Sequence, residues 1–161
     1  MSPTPSDGPL VHQLIADSPP LDTNSLYCNL LQCLHFADTS VIAKEKGECL
    51  GFLSGYRVPG RQDTLFVWQV VVSRKARGQG LATKMLKSLL GRPSCKGVQK
   101  LETTITKQNH ASWALFRSIA QWLKAEFTES VLFDSEKHFS GKHDTEYLVE
   151  IGPVDVQPIQ K

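Results

Sequence analysis

Densely apolar and alternating runs of residues predict the strands. Residues 39–58 are interpreted as a hairpin that turns at Lys46-Gly47, and a second turn at 59–62 leads into the β-branched and aromatic run 63–73, DTLFVWQVVVS. Short turns between consecutive strands predict an antiparallel meander of three strands. The same reasoning predicts further strands at 10–17, 98–106, 126–133 and 144–152.

Apolar residues at helical spacing predict three helices. The first is expected to be capped by Asp22, Thr23 or Asn24, with an apolar face made of Leu26, Leu30, Leu31 and Leu34. The second follows the glycines at 78 and 80 and ends at Gly91. The third is capped by Asn109, and its buried face is expected to contain Trp113, Leu115, Phe116, Ile119, Ala120 and Leu123.

A helix lies between the strand at 63–73 and the strand at 98–106, so these two strands are expected to run parallel. The predicted fold is therefore mixed α/β, with a mostly antiparallel central sheet of about six to seven strands and helices on both faces. At 161 residues the chain fits one domain. We expect a flexible tail at 1–9, the domain at 10–152 and a C-terminal tail at 153–161.

Composition limits the range of functions. The sequence contains no apolar run long enough to cross a bilayer, and its first residues lack the features of a secretion signal, so a cytoplasmic protein with no membrane partner is expected. The net charge of +2 is too small to predict nucleic-acid binding. The four cysteines show no paired CxxC spacing, which favours buried thiols over a metal site or disulfides.

The segment Arg77-Gly78-Gln79-Gly80-Leu81-Ala82, between a strand and a helix, is the strongest chemical signal. Glycines let backbone amides crowd together, and the first amides of a helix attract phosphate. A P-loop is excluded, because no Lys-Ser or Lys-Thr follows the second glycine. A dinucleotide-binding turn fits poorly, since Thr83 stands where the third glycine belongs and a meander precedes the turn.

This segment matches the [Q/R]xxGx[G/A] signature of the GCN5-related N-acetyltransferase (GNAT) superfamily, which the chain resembles over most of its length. NHASWALF at 109–116 resembles the next motif of that family. The resemblance implies a GNAT fold and acetyl-CoA as cosubstrate, with no metal. It also implies a cofactor site made of the backbone of Val70, Val71 and Val72, of Arg77, Gly78, Gln79, Gly80, Leu81 and Ala82, and of Asn109. Arg74 and Lys75 are additional candidates for phosphate contact.

Stretches outside these motifs, from about Leu21 to Glu150, resemble the branch of the family that acetylates the side-chain (N4) amine of L-2,4-diaminobutyrate in ectoine biosynthesis, a route to osmoprotection. Many members of the superfamily are dimers, and a homodimer is expected. The acceptor, a diamino acid, needs a carboxylate for its ammonium and a group that removes a proton.

The candidate catalytic residues are Asp22, Tyr27 and Glu146, and the candidate acceptor-binding residues are Asp22, Tyr27, Trp68, Glu102 and Glu146, with His143 as a weaker candidate. Each has a structural alternative. Asp22 could cap a helix, Trp68 could belong to the core, and Glu102 could point to solvent.

The amine is expected to attack the thioester directly, with no acyl-enzyme and no cysteine involved. Many family members carry a tyrosine late in the second motif, whereas this chain has Phe116. We expect Phe116→Tyr to change the rate only modestly. Two alternatives stay open: an acetyltransferase for another amine, such as a polyamine, and a non-catalytic acyl-CoA-binding module.

Overall fold

Six strands form the central sheet of the computed structural model, which describes residues 1–19 and 21–154. The strands are β1 (Val41–Glu45), β2 (Glu48–Val58), β3 (Arg61–Val72), β4 (Lys100–Thr106), β5 (Glu126–Phe133) and β6 (Glu146–Gly152). The helices are α1 (Gly8–Ala16), α2 (Leu26–Leu34), α3 (Leu81–Leu90), α4 (His110–Leu123) and α5 (Ser135–Phe139). The strand order is β1-β2-β3-β4-β6-β5, and every pair is antiparallel except β3 with β4.

The predicted meander is confirmed. β1 and β2 turn at Lys46 and Gly47, which both have positive φ, and β2 and β3 turn at Pro59-Gly60. α3 then carries the chain back across the sheet, so β4 lies parallel to β3 as predicted.

The prediction of a strand at 10–17 is wrong, because this segment forms α1. Pro9 lies in the first turn of the helix, where its missing N–H is tolerated. Val11, Leu14 and Ile15 are buried, and their spacing is that of one helix face. The predicted boundary between a tail at 1–9 and a domain from 10 therefore falls inside a helix. Of the predicted C-terminal tail, residues 155–161 lie outside the described residues.

The buried face of α2 differs from the predicted one. Leu26 and Leu34 are 41% and 56% exposed, whereas Asn29 and Gln32 are fully buried. Their amides form a chain of hydrogen bonds, in which Asn29 donates to Gln32 and Gln32 donates to Ser54 of β2. The helix is capped by Ser25, which accepts a hydrogen bond from the Cys28 amide. The prediction that Asp22, Thr23 or Asn24 caps this helix is therefore wrong.

Apolar residues cover both faces of the sheet. The larger cluster packs α3 and the predicted face of α4 against β3, β4 and β6, and a smaller cluster packs α1 and α2 against β1 and β2. Helices on both faces confirm the predicted fold class. Among residues 1–19 and 21–154, no helix is both long and apolar enough to cross a membrane.

Candidate active site

A gap opens in the sheet between β3 and β4. Their parallel pairing runs from Thr64 opposite Lys100 to Val67 opposite Thr103. Beyond Val67, β3 continues beside β2, where Ser54 pairs with Gln69 directly after Gly55 pairs with Val67. The extra residue, Trp68, is therefore a β-bulge, which bends β3 away from β4. One edge of residues 69–72 is left facing the gap, and this stretch contains Val70, Val71 and Val72, which were predicted to bind the cofactor.

The glycine turn lies at the end of β3 and leads into α3. Gly78 and Gly80 have φ values of 79° and 74°, in the left-handed region that favours glycine. Gly80 is the N-cap of α3, and no described side chain caps this helix. The first amides of α3 are consequently free to bind an anion. A Cβ at Gly80 would meet no described atom within 4 Å, so the turn is also open to a ligand.

The cations near this turn differ in their contacts. Lys75 pairs with Glu48 at 2.8 Å, and the Nε of Arg77 donates to the carbonyl of Val72 at 3.1 Å. Both side chains are exposed. The remaining N–H groups of Arg77 are thus available to a phosphate, whereas Lys75 would first have to leave Glu48.

Two residues of the second motif have structural roles in α4. Asn109 is the N-cap, and its Oδ1 accepts a hydrogen bond from the Ser112 amide at 3.2 Å. Phe116 is 2% exposed and belongs to the larger core cluster.

A cavity of about 550 Å³ is lined by Thr104 of β4, by the segment from the end of β5 to the start of β6, and by the segment before α2. Its described lining combines two carboxylates, two histidines, a hydroxyl and two aromatic rings: Asp22, Thr104, Phe133, His138, Phe139, His143 and Glu146. Of the described lining residues, Thr104 is the one from β4. The others come from the segment before α2 and from residues 133–146, so these segments form most of the cavity wall.

His143 lies between the two carboxylates of this cavity. Its Nε2 is 2.8 Å from Oδ2 of Asp22 and 3.9 Å from Oε2 of Glu146. Its Nδ1 is 2.7 Å from the carbonyl oxygen of Asp144, so Nδ1 donates. Asp22 and Glu146, which are far apart in the sequence, therefore face one point, as a site for a cation requires.

The surroundings of His143 and Glu146 in the cavity shift the pKa values of both groups. The Asp22 carboxylate, and then the Asp144 carbonyl, raise the pKa of His143 above its ordinary value. Burial raises the pKa of the Glu146 carboxyl, and hydrogen bonding to Thr104 and the charge of His143 oppose that rise. A carboxylate whose pKa is raised toward neutrality is a better proton acceptor.

Three predicted acceptor residues lie outside the described lining of the cavity. Glu102 is 4% exposed and forms a bidentate ion pair with Arg61, at 2.7 and 3.1 Å, so it is neither solvated nor free. Tyr27 is 69% exposed on the first turn of α2. Trp68 projects from the bulge and contacts Phe36 and Tyr56 edge to face.

Sequence reasoning named His143 of the β5–β6 loop but missed Phe133, His138, Phe139 and the side chain of Gln69. Phe133, His138 and Phe139 line the cavity, and a local density of aromatic and histidine residues was the only signal available for them. The side chain of Gln69 donates to the carbonyl of Asp22 and accepts from Asn24, so it ties the Asp22 segment to β3. No group of three or more His, Cys, Asp or Glu residues suited to a metal occurs in the described part of the chain.

Residues 10–122 match the acetyltransferase (GNAT) family. This match spans most of the chain and agrees with the sheet, the bulge and the glycine turn, so the chain belongs to the GNAT family of acetyltransferases.

Relatives with high identity share one name. The L-2,4-diaminobutyric acid acetyltransferase of Methylotuvimicrobium alcaliphilum is 56% identical over 151 residues, which cover 94% of this chain and 88% of the relative. That of Vibrio parahaemolyticus is 51% identical over 146 residues, covering 91% and 81%. The structure of diaminobutyrate acetyltransferase EctA from Paenibacillus lautus, in complex with L-2,4-diaminobutyric acid and coenzyme A, matches with a TM-score of 0.91 at 40% identity, covering 95% of this chain and 93% of that one.

Proposed function

We propose that this enzyme transfers the acetyl group of acetyl-CoA to the N4 amine of L-2,4-diaminobutyrate. The observation that carries the proposal is the convergence of Asp22 and Glu146 on one point of an open cavity, in a protein whose split sheet leads into a glycine turn with free helix amides. A small diamine has the size and charge for such a cavity. The identity of 40% or more to three diaminobutyrate acetyltransferases supports the same acceptor.

The donor is expected to lie along the gap. Its pyrophosphate fits the free amides of residues 78–82, with Arg77 beside them, because a helix N-terminus favours negative charge. The amides of its pantetheine arm would pair with the edge of β3 at Val70, Val71 and Val72, as an added strand pairs with a sheet. Asn109, at the start of α4, is proposed to contact the same arm. Acetyl-CoA then supplies an activated acyl carbon near the bulge.

The acceptor is expected to enter with its ammonium groups toward Asp22 and Glu146. At neutral pH nearly all of an alkyl amine is protonated, and an ammonium has no lone pair. We assign proton removal to Glu146, directly or through water, since burial makes its carboxylate more basic. Tyr27 and Trp68 are proposed to complete the acceptor side of the site.

The free amine attacks the thioester, the C–N bond forms, the C–S bond breaks and CoA leaves. We propose that a backbone amide near Val70, in the part of β3 that does not pair with β4, stabilises the negative oxygen. Because Phe116 lies in the core and has no hydroxyl, water is proposed to protonate the thiolate.

Thiol release tests this assignment and its alternatives. The enzyme is incubated with acetyl-CoA and a panel of amines, and free CoA is followed while NMR identifies the acetylated nitrogen. We expect diaminobutyrate to dominate, with acetyl on N4. If another amine reacts faster than diaminobutyrate, that amine is the acceptor. If the protein binds CoA but acetylates no amine, it is a binding module.

We further propose that two copies form a dimer. Apolar side chains are exposed on α2 and at the end of the edge strand β5, namely Leu26, Leu34, Val131 and Leu132. Burying them against a second copy would remove this apolar area from water. Sedimentation velocity should give a dimer mass, and Leu34→Glu should shift it toward the monomer; a wild-type monomer at all concentrations would contradict the proposal.

The cellular setting is proposed to be the cytoplasm, where acetyl-CoA is made, and the product is proposed to enter ectoine synthesis under osmotic stress. A strain lacking the gene should then lose growth at high salt and regain it with added ectoine.

A further inference from the structure

The carboxylate of the proposed acceptor has no assigned partner among the residues that line the cavity. Diaminobutyrate carries a carboxylate, whereas Asp22 and Glu146 can only accept hydrogen bonds when ionised. Both ring nitrogens of His143 already have hydrogen-bond partners, Nε2 in Asp22 and Nδ1 in the Asp144 carbonyl. The described lining leaves Thr104 and His138 as hydrogen-bond donors, and of these Thr104 acts on Glu146, whose pKa it lowers.

The hydrogen bonds of His138 fix its tautomer. The backbone N–H of Asp134 donates to Nδ1 of His138 at 2.8 Å. An Nδ1 that accepts a hydrogen bond carries no proton, so the proton of the neutral ring is on Nε2. His138 therefore presents an Nε2–H donor from a residue that lines the cavity.

The surrounding loop holds this ring in place. Asp134 caps α5 by accepting from the amides of Glu136 and Lys137, and the hydroxyl of Ser135 donates to the carbonyl of His143 at 2.6 Å. The ring of His138 packs edge to face on Phe133, with centroids 5.7 Å apart. A donor fixed on both sides loses little conformational freedom when it binds an anion.

We propose that the Nε2–H of His138 binds the carboxylate of the acceptor and so selects an amino acid over a plain diamine. The inference rests on the proposed function. It divides the cavity into a cation-binding wall, formed by Asp22 and Glu146, and an anion-binding wall on α5.

The test compares diaminobutyrate with 1,3-diaminopropane, which is the same molecule without its carboxylate. In His138→Asn the side-chain oxygen can still accept from the Asp134 amide, but the Nε2–H is lost. We expect kcat/KM for diaminobutyrate to fall about tenfold or more, mainly through KM, as for a lost hydrogen bond to a charged group. The value for 1,3-diaminopropane should change less than threefold.

His138→Gln, which can place an N–H near the original Nε2, should recover part of the preference. His35→Asn, at an exposed histidine outside the cavity lining, serves as the control and should leave kcat/KM unchanged for both substrates. Equal wild-type rates for the two amines, or an unchanged ratio in His138→Asn, would overturn the inference. A wild-type enzyme that acetylates neither amine would instead refute the proposed function.

Discussion

Glu146 is the residue on which proton transfer is expected to depend. Glu146→Gln keeps the shape of the side chain but removes the base, so kcat should fall about 100-fold or more. The KM for acetyl-CoA should stay within about twofold, because Glu146 lies in the cavity proposed for the acceptor. Steady-state kinetics with each substrate varied in turn measures both quantities.

Glu150→Gln is the matched control for that experiment. Glu150 lies on the same strand four residues further on, and pairs with Lys100 at 2.9 Å. Its substitution should leave kcat within about threefold. Similar losses from both variants would mean that strand β6 has been disturbed and would remove the support for Glu146 as the base.

The raised pKa of His143 gives the site a pH dependence. Protonated His143 forms an ion pair with the Asp22 carboxylate, so it competes with the acceptor ammonium for that carboxylate. The ion pair is complete below the ordinary histidine pKa of about 6.5 and is lost as pH rises through the higher pKa of the folded protein. Because Nδ1 donates to Asp144, a neutral His143 has no N–H for Asp22, and the KM for diaminobutyrate should fall over this range.

NMR titration of the histidine rings checks this prediction directly. His143 should titrate above the ordinary value, and Asp22→Asn should bring it back toward that value. If His143 titrates at the same pH in both proteins, Asp22 does not control it.

At the scale of elements, the glycine turn before α3 is expected to determine the affinity for acetyl-CoA. An alanine at Gly80 must adopt a φ near 74°, which costs roughly 1–2 kcal/mol or forces the peptide to rotate. Either change should displace the amides that are proposed to bind the pyrophosphate. We expect Gly80→Ala to raise the KM for acetyl-CoA about tenfold or more, with the KM for diaminobutyrate changed less than threefold.

Gly60→Ala separates this effect from backbone strain in general. Gly60 has a φ of 80° in the β2–β3 turn, and its Cβ would likewise meet no described atom within 4 Å. Calorimetry should show a similar loss of stability in both variants, but only Gly80→Ala should weaken acetyl-CoA binding. A comparable rise of the KM in Gly60→Ala would show that strain alone is sufficient.

The elements also show where sequence patterns are sufficient and where they are not. The meander, the crossover and α4 were predicted because their turn residues and apolar spacing agree with their burial. The face of α2 was mispredicted, because Asn29 and Gln32 are buried at no penalty when their amides bond to each other and to Ser54. Such pairing depends on a strand 22 residues away, and no local pattern shows it.

The same distinction applies to the site. The glycine turn is local, so its residues could be read from the sequence. The cavity is assembled from three distant segments, which contribute Asp22, Thr104 and the β5–β6 loop. Chemistry suggested Asp22 and Glu146, but Glu102 was indistinguishable from them until the structure paired it with Arg61.

At the scale of the whole molecule, the cysteines test whether the acetyl group passes directly to the amine. Cys33 and Cys49 lie in the smaller core cluster and Cys95 in the larger one. Burial raises the pKa of Cys33 and of Cys49 to about 11. At pH 8 only about one such thiol in a thousand is the reactive thiolate, so neither Cys33 nor Cys49 is suited to carry an acyl group.

Iodoacetamide should therefore leave the native enzyme active. After treatment at pH 8 and removal of the reagent, the rate of product formation should remain above about 80%, and mass spectrometry should find Cys33, Cys49 and Cys95 unmodified. In guanidinium chloride all four cysteines should react, because unfolding exposes them and restores an ordinary thiol pKa of about 8.5. Inactivation that acetyl-CoA prevents, together with one modified buried cysteine, would mean that an acyl-enzyme forms. Full activity after treatment would leave direct attack by the amine, the chemistry for which we propose that Asp22 and Glu146 bind the acceptor and that Glu146 removes its proton.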